Sequence, residues 1–457
     1  MNLVRILKRT CAFFFAVAGV LPLFGQGAAP AVLPLADAIA MAVASNPQVD
    51  VAKARQREAN AGVQSARSAL LPKIGASETF IDSTDPVFAF GARLRQGRFT
   101  AADLSLNNLN YPSPTADFTS TAGATWMMFD SGHSLDRIRA ARSGTAAAEE
   151  QAVFTVQKIS FNIIRAYYRA LLADQEKITT VAAVARAKSF AKQAHDRVDA
   201  GMALPADGMQ ADVELSQRQQ EAAEADSNAQ LAYAQLAGVL GDPSKRFTLV
   251  APAGVPEPLS ASVDELQSRA LRARPDLQAA QNEIAAAGKS VRASHEAYGP
   301  QISTFGNVEA DNPHLTGGGN TNWTVGAKAE IQLFDGGERK SQVSKANAQR
   351  EMAEAAYKQA VIQTGLDVKQ AYYSRQTTER QYEISDEMLR KTQETLRTSL
   401  DRYNAGLVTI TEVLREQEQL RYMELTRAQS LYQWWIADAQ LRLATGDINV
   451  TRPGVHP

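Results

Sequence analysis

The sequence predicts a mainly α-helical chain that carries a membrane β-sheet and is built from two copies of one half. Three observations lead there. Residues 322–333 alternate: Trp323, Val325, Ala327, Ala329, Ile331 and Leu333 fall on one side, and Asn322, Thr324, Gly326, Lys328, Glu330 and Gln332 on the other. A period of two with one apolar face marks a strand that is wet on one side only. Residues 133–199 and 337–403 are proline-free runs, each about 100 Å long as a helix at ~1.5 Å per residue. Third, the chain repeats itself. Phe129-Asp130-x-Gly132 returns as Phe334-Asp335-x-Gly337, and Ala166-Tyr167-Tyr168 as Ala371-Tyr372-Tyr373. Arg197 and Ala200-Gly201 return as Arg402 and Ala405-Gly406, all at one offset. Upstream, Pro47 and Pro72 match Pro275 and Pro300 at a larger offset. The difference falls between the strands of a hairpin, so the first hairpin has the longer loop. A repeat this long is a duplicated half-protein, not a solenoid.

In order, residues 1–27 read as a secretory leader. Arg5, Lys8 and Arg9 precede an apolar stretch at 11–24, and Gly25-Gln26-Gly27 offers small residues for cleavage. The first repeat spans 28–241. Its opening helix, 35–71, is broken locally at Asn46-Pro47 and ended by Pro72. A hairpin at about 74–129 follows, with a strand at 74–82, a loop at 83–116 and a second strand ending at Phe129. The long helix runs over 133–199. Gly201 caps it, 201–207 makes a tip turn, and Pro205 suits the first turn of the return helix to Leu240. Gly241-Asp242-Pro243 stops that helix, and 242–261 is an extended linker containing Pro252, Pro256 and Pro258. The second repeat, 262–446, has a helix at 264–298 and a hairpin at 302–334 with a Gly/Asn-rich turn at 311–321. Its long helix is 337–403, its tip turn 404–409 and its return helix 410–443. Residues 447–457 form a tail.

Composition narrows the function. The formal net charge is −1 over 457 residues. The leader is basic, so the remainder is more acidic, which argues against a nucleic-acid partner. Cys11, the one cysteine, lies in the leader, which excludes disulfide and thiol chemistry after cleavage. No later stretch is long and apolar enough for a membrane-spanning helix. His133, His195, His295, His314 and His456 have no metal-ligand spacing. No phosphate loop or nucleophile motif occurs, so no enzyme activity, cofactor or metal is expected. Trp434-Trp435 reads as core packing near a helix end.

Two physical problems remain. Four strands of membrane-crossing length cannot close, and open edges cannot sit in lipid, so a barrel must be shared between protomers. The lipid face would carry Trp323, Val325, Ala327, Ala329 and Ile331. A helix near 100 Å also needs a lateral partner of similar length. The opening and return helices, stacked end to end, supply one. Val153, Val156, Ile159, Ile163, Tyr167 and Leu171 make one apolar stripe on the first long helix, and Phe154, Phe161, Ile164, Tyr168 and Leu172 another. Two stripes mean neighbours on two sides, as in a wall. The 83–116 loop joins two strands at the end away from the helices, which would place it outside the cell. Its aromatics (Phe88, Phe90, Phe99, Tyr111) and basic residues (Arg93, Arg95, Arg98) suit a segment folded back over the mouth, or a mobile surface loop.

With its Phe-Asp-x-Gly junctions, its Tyr-Asn-Ala-Gly-Leu tip at 403–407 and its duplication, the chain resembles the TolC family of bacterial outer-membrane efflux proteins. That resemblance implies a homotrimer, with a 12-stranded β-barrel in outer-membrane lipid above a periplasmic α-helical barrel. It implies a passive exit duct served by a periplasmic adaptor (membrane fusion) protein and an inner-membrane pump of RND or ABC type. Small-molecule efflux and type I protein secretion both use this architecture and stay open. A non-pore periplasmic coiled-coil spacer is the other alternative, and the alternating strand argues against it. The family's entrance is closed at the helix tips by an acid, a tyrosine and an arginine. These align with Asp207, Tyr403 and Val408, so the arginine link is missing. The family's acidic rings align with Glu412 and with Arg415, beside Glu416. By the same resemblance the Gly201-Met202 and Gly406-Leu407 turns meet the adaptor.

Overall fold

The computed structural model describes residues 31–241, 247–316 and 319–448; the leader at 1–27 and most of the tail lie outside them. The first repeat opens with β1 (Ala31–Leu33), α1 (Leu35–Ser45) and α2 (Pro47–Arg67). Pro47 takes the first position of α2, and the Asn46 side chain accepts from the Gln48 N–H at 2.8 Å, so the break is a re-capped helix start. Then come β2 (Lys73–Ser83), the short helices α3 (Pro86–Arg95) and α4 (Leu106–Asn110), β3 (Thr115–Phe129), α5 (His133–Asp199) and α6 (Pro205–Val239). The second half has β4 (Phe247–Leu249), α7 (Val263–Ala273), α8 (Pro275–Glu296), β5 (Gln301–Asn312), β6 (Asn320–Glu330), α9 (Glu338–Asn404) and α10 (Ile410–Thr445).

Several boundaries correct the sequence reading. The 83–116 loop is folded: Asp85 caps α3 by accepting from the Phe88 N–H at 2.7 Å, and Pro86 starts the helix. The 264–298 helix is two helices, because Pro275 breaks it after Arg274 as Pro47 breaks its counterpart. The 311–321 turn is shorter, since β5 runs to Asn312 and β6 begins at Asn320. β6 ends at Glu330, so Ile331 lies past the last ladder pair instead of in the strand. The linker holds β4, which pairs in parallel with β1.

Strands β2, β3, β5 and β6 form one antiparallel sheet in that order, with β2 and β6 at its edges. The helices run away from it as long tracks. α5 packs against α1, α2 and α6 on one side and against α8 and α10 on the other, as its two stripes require. Ser45 donates to the Leu240 carbonyl at 2.8 Å, which joins α1 to the end of α6. The core lies at this level: Val156, Ile159, Ile163, Tyr167 and Leu171 meet Ala38, Ala42, Val49, Leu236 and Leu240. Tyr167 is 0% exposed. Its hydroxyl donates to the Leu33 carbonyl and accepts from the Val250 N–H, both at 2.8 Å, pinning β1 and β4 to α5. Tyr168 stacks on Trp435 with centroids 5.7 Å apart, and Trp434 is buried beside Tyr382.

The Phe-Asp-x-Gly motif makes the strand-to-helix junction. Asp130 accepts from the Ser134 N–H at 2.8 Å, and Asp335 accepts from the Gly337 N–H at 3.0 Å. Each carboxylate satisfies a free donor where a helix begins. Gly132 and Gly337 have φ of 99° and 92°, a left-handed conformation that side chains disfavour.

Candidate functional site

Three features can act: the two helix tips, a charged layer above them, and the faces of the sheet. The tips are built alike. At the first, Gly201 has φ 71° and the Met202 N–H donates back to the Arg197 carbonyl at 2.8 Å. At the second, Gly406 has φ 74° and the Leu407 N–H donates to the Arg402 carbonyl at 2.9 Å. Glycine is needed here because only a left-handed residue lets the chain reverse over the last carbonyls. Met202, Leu204, Met209 and Leu407 are left exposed at the very end.

Asp207 and Glu412 sit at the third position of their return helices. Asp207 accepts from the Leu204 N–H at 3.1 Å and so caps its own helix. Glu412 instead lies 3.9 Å from the Arg402 guanidinium. Glu416 is held by neighbouring Arg415 at 3.2 Å. Tyr403 is buried against Phe190 with centroids 5.5 Å apart, and its hydroxyl has no hydrogen-bond partner among the described residues. Burial raises its pKa, an effect that Arg197 opposes and Asp207 reinforces.

Val408 packs into the apolar tip cluster with Ile410 and Val413. A guanidinium does reach this tip, from another helix. Arg197, on α5, lies over the Tyr403 ring at 4.7 Å and donates to the Tyr403 carbonyl at 3.0 Å. A cation at the last carbonyls of α9 is favoured by the helix dipole. The sequence carried a signal for this, because Arg197 and Arg402 occupy equivalent repeat positions. They diverge in use: one reaches across to the other tip, the other stays at home.

About three turns above the tips, α6 and α10 are joined by buried charge. Arg218 lies 2.8 Å from Glu214, 2.6 Å from Glu221 and 2.7 Å from Glu418, and Arg421 lies 2.5 Å from Glu418 and 3.4 Å from Glu221. Burial raises the Glu214 pKa. For Glu418 burial also pushes upward, but the hydrogen bond and charge of Arg421 outweigh it and the pKa is lowered. These charges lack a period of their own in the sequence, and nothing there paired α6 with α10.

The sheet has two unlike faces. Directly paired residues share a face, so Trp323, Val308, Ala122 and Ala76 lie together, as do Val325, Gly306, Ala124 and Ile74. Ala327 and Ala329 continue that face, with Trp126 and Ile302. Trp323 is 77% exposed and Val325, Ile74 and Val308 are exposed too. The opposite face carries Thr119, Thr121, Glu309, Asp311, Thr324 and Lys328. Among the helices, α9 has an exposed stripe of Ile362, Leu366, Tyr373, Ile384 and Met388 at helical spacing. No helix among the described residues is long and apolar enough to cross a membrane.

A family model for outer membrane efflux proteins matches residues 38–242 and 266–447, one stretch in each repeat. The chain belongs to that family. Protein CyaE of Bordetella pertussis is 28% identical over 297 residues, covering 64% of this chain and 63% of that protein. The probable efflux pump outer membrane protein TtgC of Pseudomonas putida is 24% identical over 206 residues, 42% of this chain and 43% of that protein. The chain thus aligns with less than two thirds of either relative's length. Solved structures share the fold more fully. CusC superposes with a TM-score of 0.76 at 18% identity, covering 90% of this chain and 92% of that one. The outer membrane protein VceC of Vibrio cholerae gives 0.73 at 21%, covering 90% and 96%. The family is one of outer membrane efflux proteins, and the fold is that of outer-membrane channel structures.

Proposed function

We propose that the chain is the exit duct of a tripartite efflux system, a passive channel by which small molecules leave through the outer membrane. The observation that carries this reading is a four-stranded sheet, apolar on one exposed face and unpaired at both edges. Unpaired edges are not tolerated in lipid, and bacterial barrels begin at about eight strands. Three copies supply twelve strands and close the ring, and the same copies cover the apolar stripe of α9. The names of the Pseudomonas putida relatives, efflux pump outer membrane proteins, favour efflux over protein secretion.

The duct is driven by its partners, an inner-membrane pump and a periplasmic adaptor. The adaptor meets the exposed ends, Gly201-Met202 and Gly406-Leu407. The tips close the entrance: Arg197 and Tyr403 tie the second tip to α5, Asp207 stiffens the first, and Glu412 and Glu416 place acids around the bore. The test is planar-bilayer conductance of protein extracted from outer membranes, titrated with a divalent cation. Wild type conducts and is blocked, and Glu412→Ala is blocked less while remaining a trimer. A trimer that passes no current overturns the duct. Identical block curves return Glu412 to a helix-start acid.

A further inference from the structure

The segment between β2 and β3 does more than connect them. Residues 84–114 form a small folded body: Ala89 and Ala92 are buried, Phe90 meets Phe99 edge-on at 4.8 Å, and Arg93 pairs with Asp103. Its position follows from the strand register. Asp117 lies on the same side of β3 as Thr119 and Thr121, whose partners on β5 are Asp311 and Glu309. All three acids are therefore on the polar face, opposite Trp323 and Val325. Arg95, in the last turn of α3, reaches all three, at 3.7 Å from Asp117, 3.9 Å from Glu309 and 3.4 Å from Asp311. Gln96 adds a donor to Asp117 Oδ1 at 2.9 Å. Asp117 and Asp311 are 1% and 0% exposed because the segment covers them. Gly97, at φ 67°, brings the chain onto β6, where a Cβ at 97 would stand 3.6 Å from the Asn320 Cβ.

We propose that residues 84–114 are a plug folded into the outer mouth of the duct and clasped there by Arg95. This rests on the duct reading above, which makes the polar face the pore wall. The charge balance gives the clasp its leverage. One guanidinium faces three carboxylates, two of them out of water, and covering such a cluster without a cation is strongly unfavourable. The plug is seated while Arg95 is in place and leaves when it is withdrawn or replaced. The exit is thus narrowed at the end far from the helix tips, and a solute must move the plug to leave.

The 3.6 Å separation falls within the Cβ range of a disulfide, and the chain has no cysteine beyond its leader. The double variant Gly97→Cys/Asn320→Cys is expressed in whole cells and export of a fluorescent dye is followed before and after reduction. The disulfide forms, export falls at least tenfold, and reduction restores it. In Ala92→Cys alone, an impermeant maleimide reacts slowly, because residue 92 is 0% exposed in the seated segment; adding Arg95→Gln speeds it at least tenfold. A formed disulfide with undiminished export overturns the plug, as does rapid labelling that ignores Arg95. Loss of dye export in wild type and the single variants alike would instead count against the duct reading. The labelling arm still decides the seat of the plug in that case.

Discussion

The two long helices have the same length and nearly the same backbone, yet they are used differently. α5 is buried on two sides along most of its course, while α9 is buried on one. The contrast is sharpest at the repeated Ala-Tyr-Tyr. Tyr167 and Tyr168 are both buried, whereas Tyr372 is half-buried and Tyr373 is exposed. Duplication supplied two equal walls, and on the duct reading one is the inside of a protomer and the other its edge. An apolar edge in a family of channels is where the next copy belongs.

The largest test of this comparison is truncation at the equivalent tyrosines. Tyr167→Ala removes a fully buried ring and the hydroxyl that pins β1 and β4, and should cost roughly 3–5 kcal/mol. Tyr372→Ala should cost about half of that, as read by denaturant unfolding in detergent. Equal losses would mean that the repeats carry equal load. Next comes the edge itself. Leu366→Glu should dissociate the assembly while leaving the far-ultraviolet helix signal unchanged, because its side chain touches no core within one protomer. The same charge at Ile163 should unfold the chain.

The sheet gives a smaller and more local contrast. Ala327→Arg should cost roughly 2–4 kcal/mol if it sits near the bilayer midplane, and Lys328→Arg should be neutral. Heat-modifiability of the unboiled protein reads both, and equal tolerance would contradict the assignment of faces. The smallest effect concerns the layer joining α6 and α10. Glu214 has a raised pKa, so its stabilisation is complete below its unfolded value and is lost as pH climbs through the raised one. Glu418, with a lowered pKa, behaves oppositely and loses its contribution on acidification. Glu214→Gln should therefore flatten the decline in Tm from the carboxylate range toward neutrality. An unchanged slope would exclude Glu214 as its source.

Much of this was legible because the signals are periodic or local. Alternation at 322–333, proline-free runs, and glycine at each reversal state their physics in a few residues. Long-range partners do not. That Arg197 crosses to the α9 tip, that Arg218 bridges to α10, and that Arg95 meets three acids on β3 and β5 depend on which elements become neighbours. Val408 stands where the resemblance expects an arginine, and it is Arg197 of α5 that lies over the Tyr403 ring. The 84–114 segment read as a loop because its helices are too short to show a period, although Asp85-Pro86 marked the start of one. Ile331 read as strand because alternation outlasts the ladder: β6 ends at Glu330 although the pattern runs to Leu333.

The central claim is that one protomer is an incomplete ring that three copies close. Native mass spectrometry of the complex extracted from outer membranes, without boiling, tests it most directly. The account predicts three copies per particle for wild type and single chains for Leu366→Glu. A stable wild-type monomer, or an assembly of any other number, would contradict it.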